Sequence, residues 1–78
     1  SKLISQVYLE KNGDFILIPV VGDQKIVFGP VFSKQKMDEK FDRLKIFYNE
    51  AMPYEGWDKF EEISVKYEGQ IVCRKRSK

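Results

Sequence analysis

The pattern of apolar and polar residues from Leu3 to Glu10 suits a strand, with Val7 and Leu9 on one side and Gln6, Tyr8 and Glu10 on the other. A period of two is the pleat of a half-buried strand. Asn12-Gly13 follows and predicts a type I′ hairpin turn, whose two central residues both need a positive φ. The next run, Phe15 to Val21, is apolar on both sides and predicts a strand covered on both faces for part of its length. Pro19 cannot donate a ladder hydrogen bond, so its end of the strand belongs at a margin or beside a bulge. Gly22-Asp23 reads as a second tight turn, and Gln24 to Phe28 as a third strand closed by Gly29-Pro30.

Beyond Ser33, a good N-cap, the period changes to that of a helix. Met37, Phe41, Leu44, Tyr48 and Ala51 recur at alternating four- and three-residue steps, which gathers them on one face, and Ile46 and Phe47 widen the stripe. Glu39 and Arg43 are spaced for an ion pair on the outer side. Proline disfavours the α region for the residue before it, so the helix is expected to stop at Met52, ahead of Pro53.

After the Tyr54–Trp57 connection, with Trp57 read as a plug between helix and sheet, Ile63, Val65 and Tyr67 alternate with Ser64, Lys66 and Glu68. That is a fourth half-buried strand. Glu68-Gly69 predicts a two-residue turn, and Gln70 to Lys75 the last strand. The order β-β-β-α-β-β gives an α+β fold: a small, antiparallel-dominated sheet with one amphipathic helix packed on one face. Residues 1–78 read as a single domain, in which the sequence leaves the strand order open. A terminal strand with no successor is expected at a sheet edge, where unpaired backbone groups await another chain.

Composition narrows the function. At 78 residues, with 42% hydrophobic and 14% aromatic content, the chain can build one modest core. Its longest apolar run falls well short of the roughly 20 residues that span a bilayer, and the expectation is a soluble fragment. A single cysteine and the lack of histidine exclude an internal disulfide, a Ser-His-Asp triad, a Cys-His pair and a histidine-bearing zinc site within this stretch. Asp38 and Asp42 sit one turn apart but share their face with Glu39 and Lys40, the pattern of a solvated surface. No glycine-rich phosphate-binding motif occurs. No cofactor or metal is expected, and the chain reads as a binding module and not an enzyme. Cys73 is expected to pack as a small apolar residue beside Ile71. The net charge is only +2, although Arg74, Lys75, Arg76 and Lys78 crowd the end. A nucleic-acid contact through that basic tail is therefore one alternative, and another envelope or secreted interaction domain is a second.

Two ordered sets of residues carry a resemblance. The first is Phe41-x-x-Leu44-x-x-Phe47-Tyr48. The second is Gly56-Trp57-x-x-Phe60-x-x-Ile63-x-Val65-x-Tyr67-x-x-Gln70-Ile71-Val72-Cys73. Together they resemble the end of the periplasmic β domain of FtsQ (DivIB), in the form found in Bacteroidetes-type bacteria. Phe15-x-Leu17-x-Pro19-x-x-Gly22 and Ile26-x-Phe28-Gly29 fit the same family's hairpin, and the likeness runs from about residue 4 to residue 76. The resemblance implies a bitopic inner-membrane protein, with a transmembrane helix and a POTRA domain upstream. It also implies a non-enzymatic divisome scaffold that holds FtsB and FtsL at the septum. FtsB adds a strand at the family's last strand, near a motif that here reads Ile63-Ser64-Val65-Lys66-Tyr67. Tyr67 matches that motif, Lys66 stands for its arginine and Ser64 for its acid. The partner-binding residues so implied are Lys66, Tyr67, Gln70, Val72 and Arg74. Of these, Gln70, Val72 and Arg74 would face the partner by alternation.

Overall fold

A computed structural model describes residues 4–20, 22–56 and 59–76 of the chain. Trp57, read above as a core plug, lies outside them. The elements are β1 (Ile4–Leu9), β2 (Phe15–Pro19), β3 (Lys25–Gly29), a helical segment from Lys34 to Glu55, β4 (Phe60–Ser64) and β5 (Val72–Lys75). The expected α+β class and element order hold. All five strands form one sheet in the order β1-β2-β3-β4-β5. Every neighbouring pair is antiparallel except β3–β4, which the helical crossover makes parallel.

Register explains where the core lies. Val7, Leu17, Ile26, Ile63 and Cys73 form one row across the five strands on the helix side. Ile26 and Ile63, at its centre, are wholly inaccessible, whereas Val7 at the β1 margin is 58% exposed. The opposite face carries a parallel row of Tyr8, Ile16, Val27, Ser64 and Val72. Ile16 is buried there, as a strand apolar on both sides requires. Pro19 sits at the bulged end of the β1–β2 ladder, where its missing donor is tolerated.

The first hairpin departs from the type I′ expectation. Among the described residues none other than glycine has a positive φ, so Asn12 stays in the ordinary region and only Gly13 (φ 92°) of this turn is left-handed. The Gly13 N–H donates to Glu10 O and the Glu10 N–H to Asp14 O, both at 2.9 Å, closing a three-residue loop with a glycine bulge. Asn12 uses its side chain instead, accepting from the Asp14 N–H at 3.0 Å.

Ser33 caps the helix as expected, its Oγ accepting from the Lys36 N–H at 3.1 Å. The far end differs from expectation. Regular α-helix (α1, Lys34–Ile46) passes into a π-turn over Phe47–Ala51 and then into a short helix, α2 (Met52–Glu55), that contains Pro53. Met52 keeps helical angles (φ −60°, ψ −37°), and its N–H donates to Phe47 O, five residues back. That wide turn inserts one extra residue, so Pro53 falls at the start of a new helical segment, where a missing N–H costs little. The actual stop is Gly56, whose φ of 97° allows its N–H to close on Met52 O.

The π-turn also rephases the buried stripe. Leu44, Tyr48 and Met52 are buried in the core, with Met37, Phe41 and Phe47 half-buried beside them. Met52 takes the inner position, and Ala51 is half-buried. Ile46 does not widen the stripe; two residues on from Leu44 it points away and is 58% exposed. The Phe28 and Phe41 rings lie 4.7 Å apart, and Phe47 stands 6.2 Å from Phe60. These contacts pin α1 to β3 and the π-turn to β4.

A polar pair sits beside this core. The fully buried Gln24 donates from Nε2 to the Tyr48 hydroxyl at 2.7 Å, while its Oε1 finds no partner among the described residues. Burial pushes the Tyr48 phenol up, which keeps it neutral. Tyr48→Phe should therefore cost about 1–3 kcal/mol in urea unfolding, because it orphans a buried amide. Adding Gln24→Met should recover part of that loss. A double variant less stable than the single one would contradict this reading.

Candidate interaction surface

The sequence expectation of a fourth strand running to Glu68 fails at Ser64. Its Oγ accepts from the Lys66 N–H at 3.3 Å, a local turn that bends the chain out of the ladder. Val65 remains fully buried, and its N–H donates to Val27 O at 3.0 Å, continuing the pairing with β3. Tyr67, by contrast, is 55% exposed and off the strand. The expected two-residue turn is thus a longer connection, residues 65–71. Within it the Gln70 N–H closes on Tyr67 O at 3.3 Å, with only Gly69 left-handed (φ 69°). That suits a type II turn, which spares Glu68 a positive φ.

Side chains from three elements hold this connection. Arg43 does not pair with Glu39 as its spacing suggests; its Nη2 donates to Val65 O at 3.2 Å and to Tyr67 O at 3.3 Å. Lys36 forms an ion pair with Glu68. Lys66 crosses to the first hairpin and meets the buried Asp14 carboxylate at 2.9 Å, which raises the Lys66 ammonium above its ordinary value. That crossing passes over Gly29 (φ 89°), where a Cβ would stand 3.0 Å from Lys66 Cγ. A glycine is needed there on both counts.

β5 lies at the sheet edge, as a terminal strand was expected to. The Arg76 N–H donates to Lys59 O at 2.9 Å, so Arg76 faces β4. The bulge in this ladder is on β4, between Phe60 and Glu62, so β5 alternates regularly. Val72 and Arg74 therefore also turn their backbone groups toward β4, and the outward N–H and C=O groups belong to Cys73 and Lys75. Val72 (49% exposed) and Arg74 show their side chains on the sheet face away from the helix. Ile71 and Cys73 are half-buried against the core, as expected of a structural cysteine.

The five sequence-chosen contact residues are thus divided. Val72 and Arg74 are on the edge strand; Lys66, Tyr67 and Gln70 are in the connection that leads to it. Two cations of the basic tail are paired within the chain. Arg74 meets both Glu61 and Glu62 at 3.2 Å, and Arg76 meets Asp23. Sequence reasoning had no means of finding the outward Cys73 and Lys75 backbone, which depends on ladder phase. It did have a signal for a second group: Lys36, Lys40 and Arg43 recur at helical spacing on one face. The other margin, β1, carries no charged residue and exposes Val7 and Leu9. No helix among the described residues is long and apolar enough to cross a membrane.

The Lys36–Glu68 pair yields a pH prediction. It lowers the Glu68 carboxyl below the ordinary glutamate value and raises the Lys36 ammonium. Its contribution to stability is full above the ordinary glutamate value and is lost as pH falls through the depressed one. At the alkaline end it is lost as pH rises through the raised lysine value. Carbon-13 titration of the Glu68 carboxyl should give a depressed midpoint that Lys36→Met returns to the ordinary range. A midpoint indifferent to Lys36→Met would contradict the pairing.

Comparison with known proteins supplies the context for this edge. No curated protein and no solved structure matches the chain. The family model described as FtsQ/DivIB, C-terminal related, matches residues 1–74, nearly the whole length. The chain therefore belongs to the FtsQ/DivIB C-terminal-related family of cell-division proteins.

Proposed function

We propose that this domain is a non-enzymatic scaffold of the division machinery that binds an FtsB- or FtsL-like partner by adding the partner's strand to β5. The observation that carries the reading is the place of β5 at the sheet edge, where the Lys75 backbone N–H and C=O turn away from β4. Main-chain hydrogen bonds supply affinity in this mode, and alternate side chains supply specificity. Val72 would pack against an apolar partner residue on the face away from the helix. Arg74, 61% exposed on its side chain despite its two glutamate contacts, would exchange them for a partner carboxylate. Tyr67 and Gln70, exposed in the connection, would extend the contact, and Lys66 would contribute charge while held by Asp14. Family membership supports a place at the septum, on the periplasmic side of the inner membrane, with the anchor supplied by the longer protein.

The ladder phase makes the reading testable at single residues. Lys75→Pro removes an outward N–H without touching the β4–β5 ladder, as an edge strand tolerates. It should leave the far-ultraviolet circular dichroism intact and weaken binding of an FtsB-like peptide about tenfold, through the lost hydrogen bond and the ring standing against the incoming strand. Hydrogen exchange with the peptide bound should protect residues 67–75. Wild-type affinity in Lys75→Pro, or protection confined to α1 or to β1, would overturn strand addition at β5.

A further inference from the structure

A cleft of about 220 Å³ opens between α1 and the 65–71 connection, on the helix side of the molecule and off the β5 edge. Four cations line it, Lys36, Lys40, Arg43 and Lys66, against two carboxylates, Glu39 and Glu68. Pro30 and the 85%-exposed ring of Phe32 form an apolar wall.

Two of these cations lack a countercharge. Among the described residues neither Lys40 nor Arg43 has a carboxylate partner. Lys40 Nζ donates only to the Phe28 and Pro30 carbonyls, at 3.0 and 3.3 Å, and lies 5.5 Å from the Phe28 ring centroid. An ammonium has three donors, so one is left over. Arg43 spends Nη2 on two carbonyls, and its buried Nε finds no partner among the described residues. Burial, then the neighbouring Arg43, Lys36 and Lys66 charges, pull the Lys40 ammonium below its ordinary value, with Asp14 the one opposing charge. Across the mouth of the cleft, Glu68 already occupies Lys36, so a carboxylate is an anion these side chains accept. Glu39 and Glu68 on the rim would repel the second charge of a phosphate. The apolar wall asks for a side chain beside the anion.

We propose that this cleft is a docking pocket for an acidic segment of a partner protein, with a carboxylate held by Lys40 and Arg43 and an adjacent aromatic side chain lying on Phe32. The assignment does not depend on strand addition at β5, and a partner can use either site alone. It places a specificity element on α1, ahead of the sheet edge in the chain.

The test is an NMR titration of the nitrogen-15-labelled 78-residue chain with three probes at millimolar concentration. These are a blocked Glu-Phe-Glu peptide, its Gln-Phe-Gln isostere, and inorganic phosphate. The acidic peptide should shift the amides of Phe32, Lys36, Lys40 and Arg43 and leave those of Cys73 and Lys75 unmoved. The neutral isostere should bind at least about tenfold more weakly, because a charge-assisted hydrogen bond is lost. Lys40→Gln should weaken the acidic peptide similarly. Phe32→Ser, at an exposed position that spares the fold, should weaken the peptide and leave any phosphate binding unchanged. Equal shifts from peptide and isostere, phosphate binding as tight as the peptide, or shifts confined to β5 would each overturn the proposal. Loss of β5 strand addition in the Lys75→Pro variant should leave this titration unaltered, which separates the two sites.

Discussion

The parallel pairing of β3 with β4 is the contact on which the rest of the structure depends. It joins segments separated by the entire helical region, through Lys25, Ile26 and Val27 against Glu62, Ile63 and Ser64. Parallel neighbours require a crossover, and the crossover here is the helix that covers the row it creates. Ile26 and Ile63 have no exposed surface because Leu44, Tyr48 and Met52 lie over them. Without that cover the β1-β2-β3 meander on one side and the β4-β5 hairpin on the other would each be marginal alone. The pairing also sets the molecule's edges. With β3 joined to β4 inside the sheet, the meander leaves β1 at one margin and the hairpin leaves β5 at the other.

Much of this was legible in the sequence because it rests on local periodicity. The alternation around Val7 and Leu9, the Ser33 cap and the stripe through Leu44 and Tyr48 are each set by a few neighbouring residues. The departures occur where a side chain competes with the backbone pattern. Asn12 bonds the backbone ahead of it, Ser64 turns the chain out of β4, and the π-turn carries the helix through Pro53. The last of these moves Met52 into the core, a result that no fixed helical period contains. Strand order was not legible either, since the crossover's direction depends on tertiary packing.

For the candidate surface, the terminal strand could be seen in the sequence but its phase could not. Which backbone groups point outward follows from the bulge on β4 and the Arg76 hydrogen bond, both properties of the folded ladder. The same is true of Lys66. The sequence marks it as a partner-binding cation, and the fold ties it to Asp14 across Gly29. Arg43 looked like half of a surface ion pair and instead clamps the connection that presents β5. The helix and the edge are therefore mechanically linked: the crossover that makes the core also holds the loop that leads into the exposed strand.

The most direct measurement of that account is native-state hydrogen exchange on the isolated chain, read amide by amide along β4 and β5. An open edge requires Lys75 to exchange close to the rate of an unfolded peptide, with Val72 and Arg74 protected by β4 and Ile63 exchanging only through global unfolding. Strong protection at Lys75 in the unbound monomer would mean that the outer ladder is already satisfied there, and would contradict β5 as a docking edge.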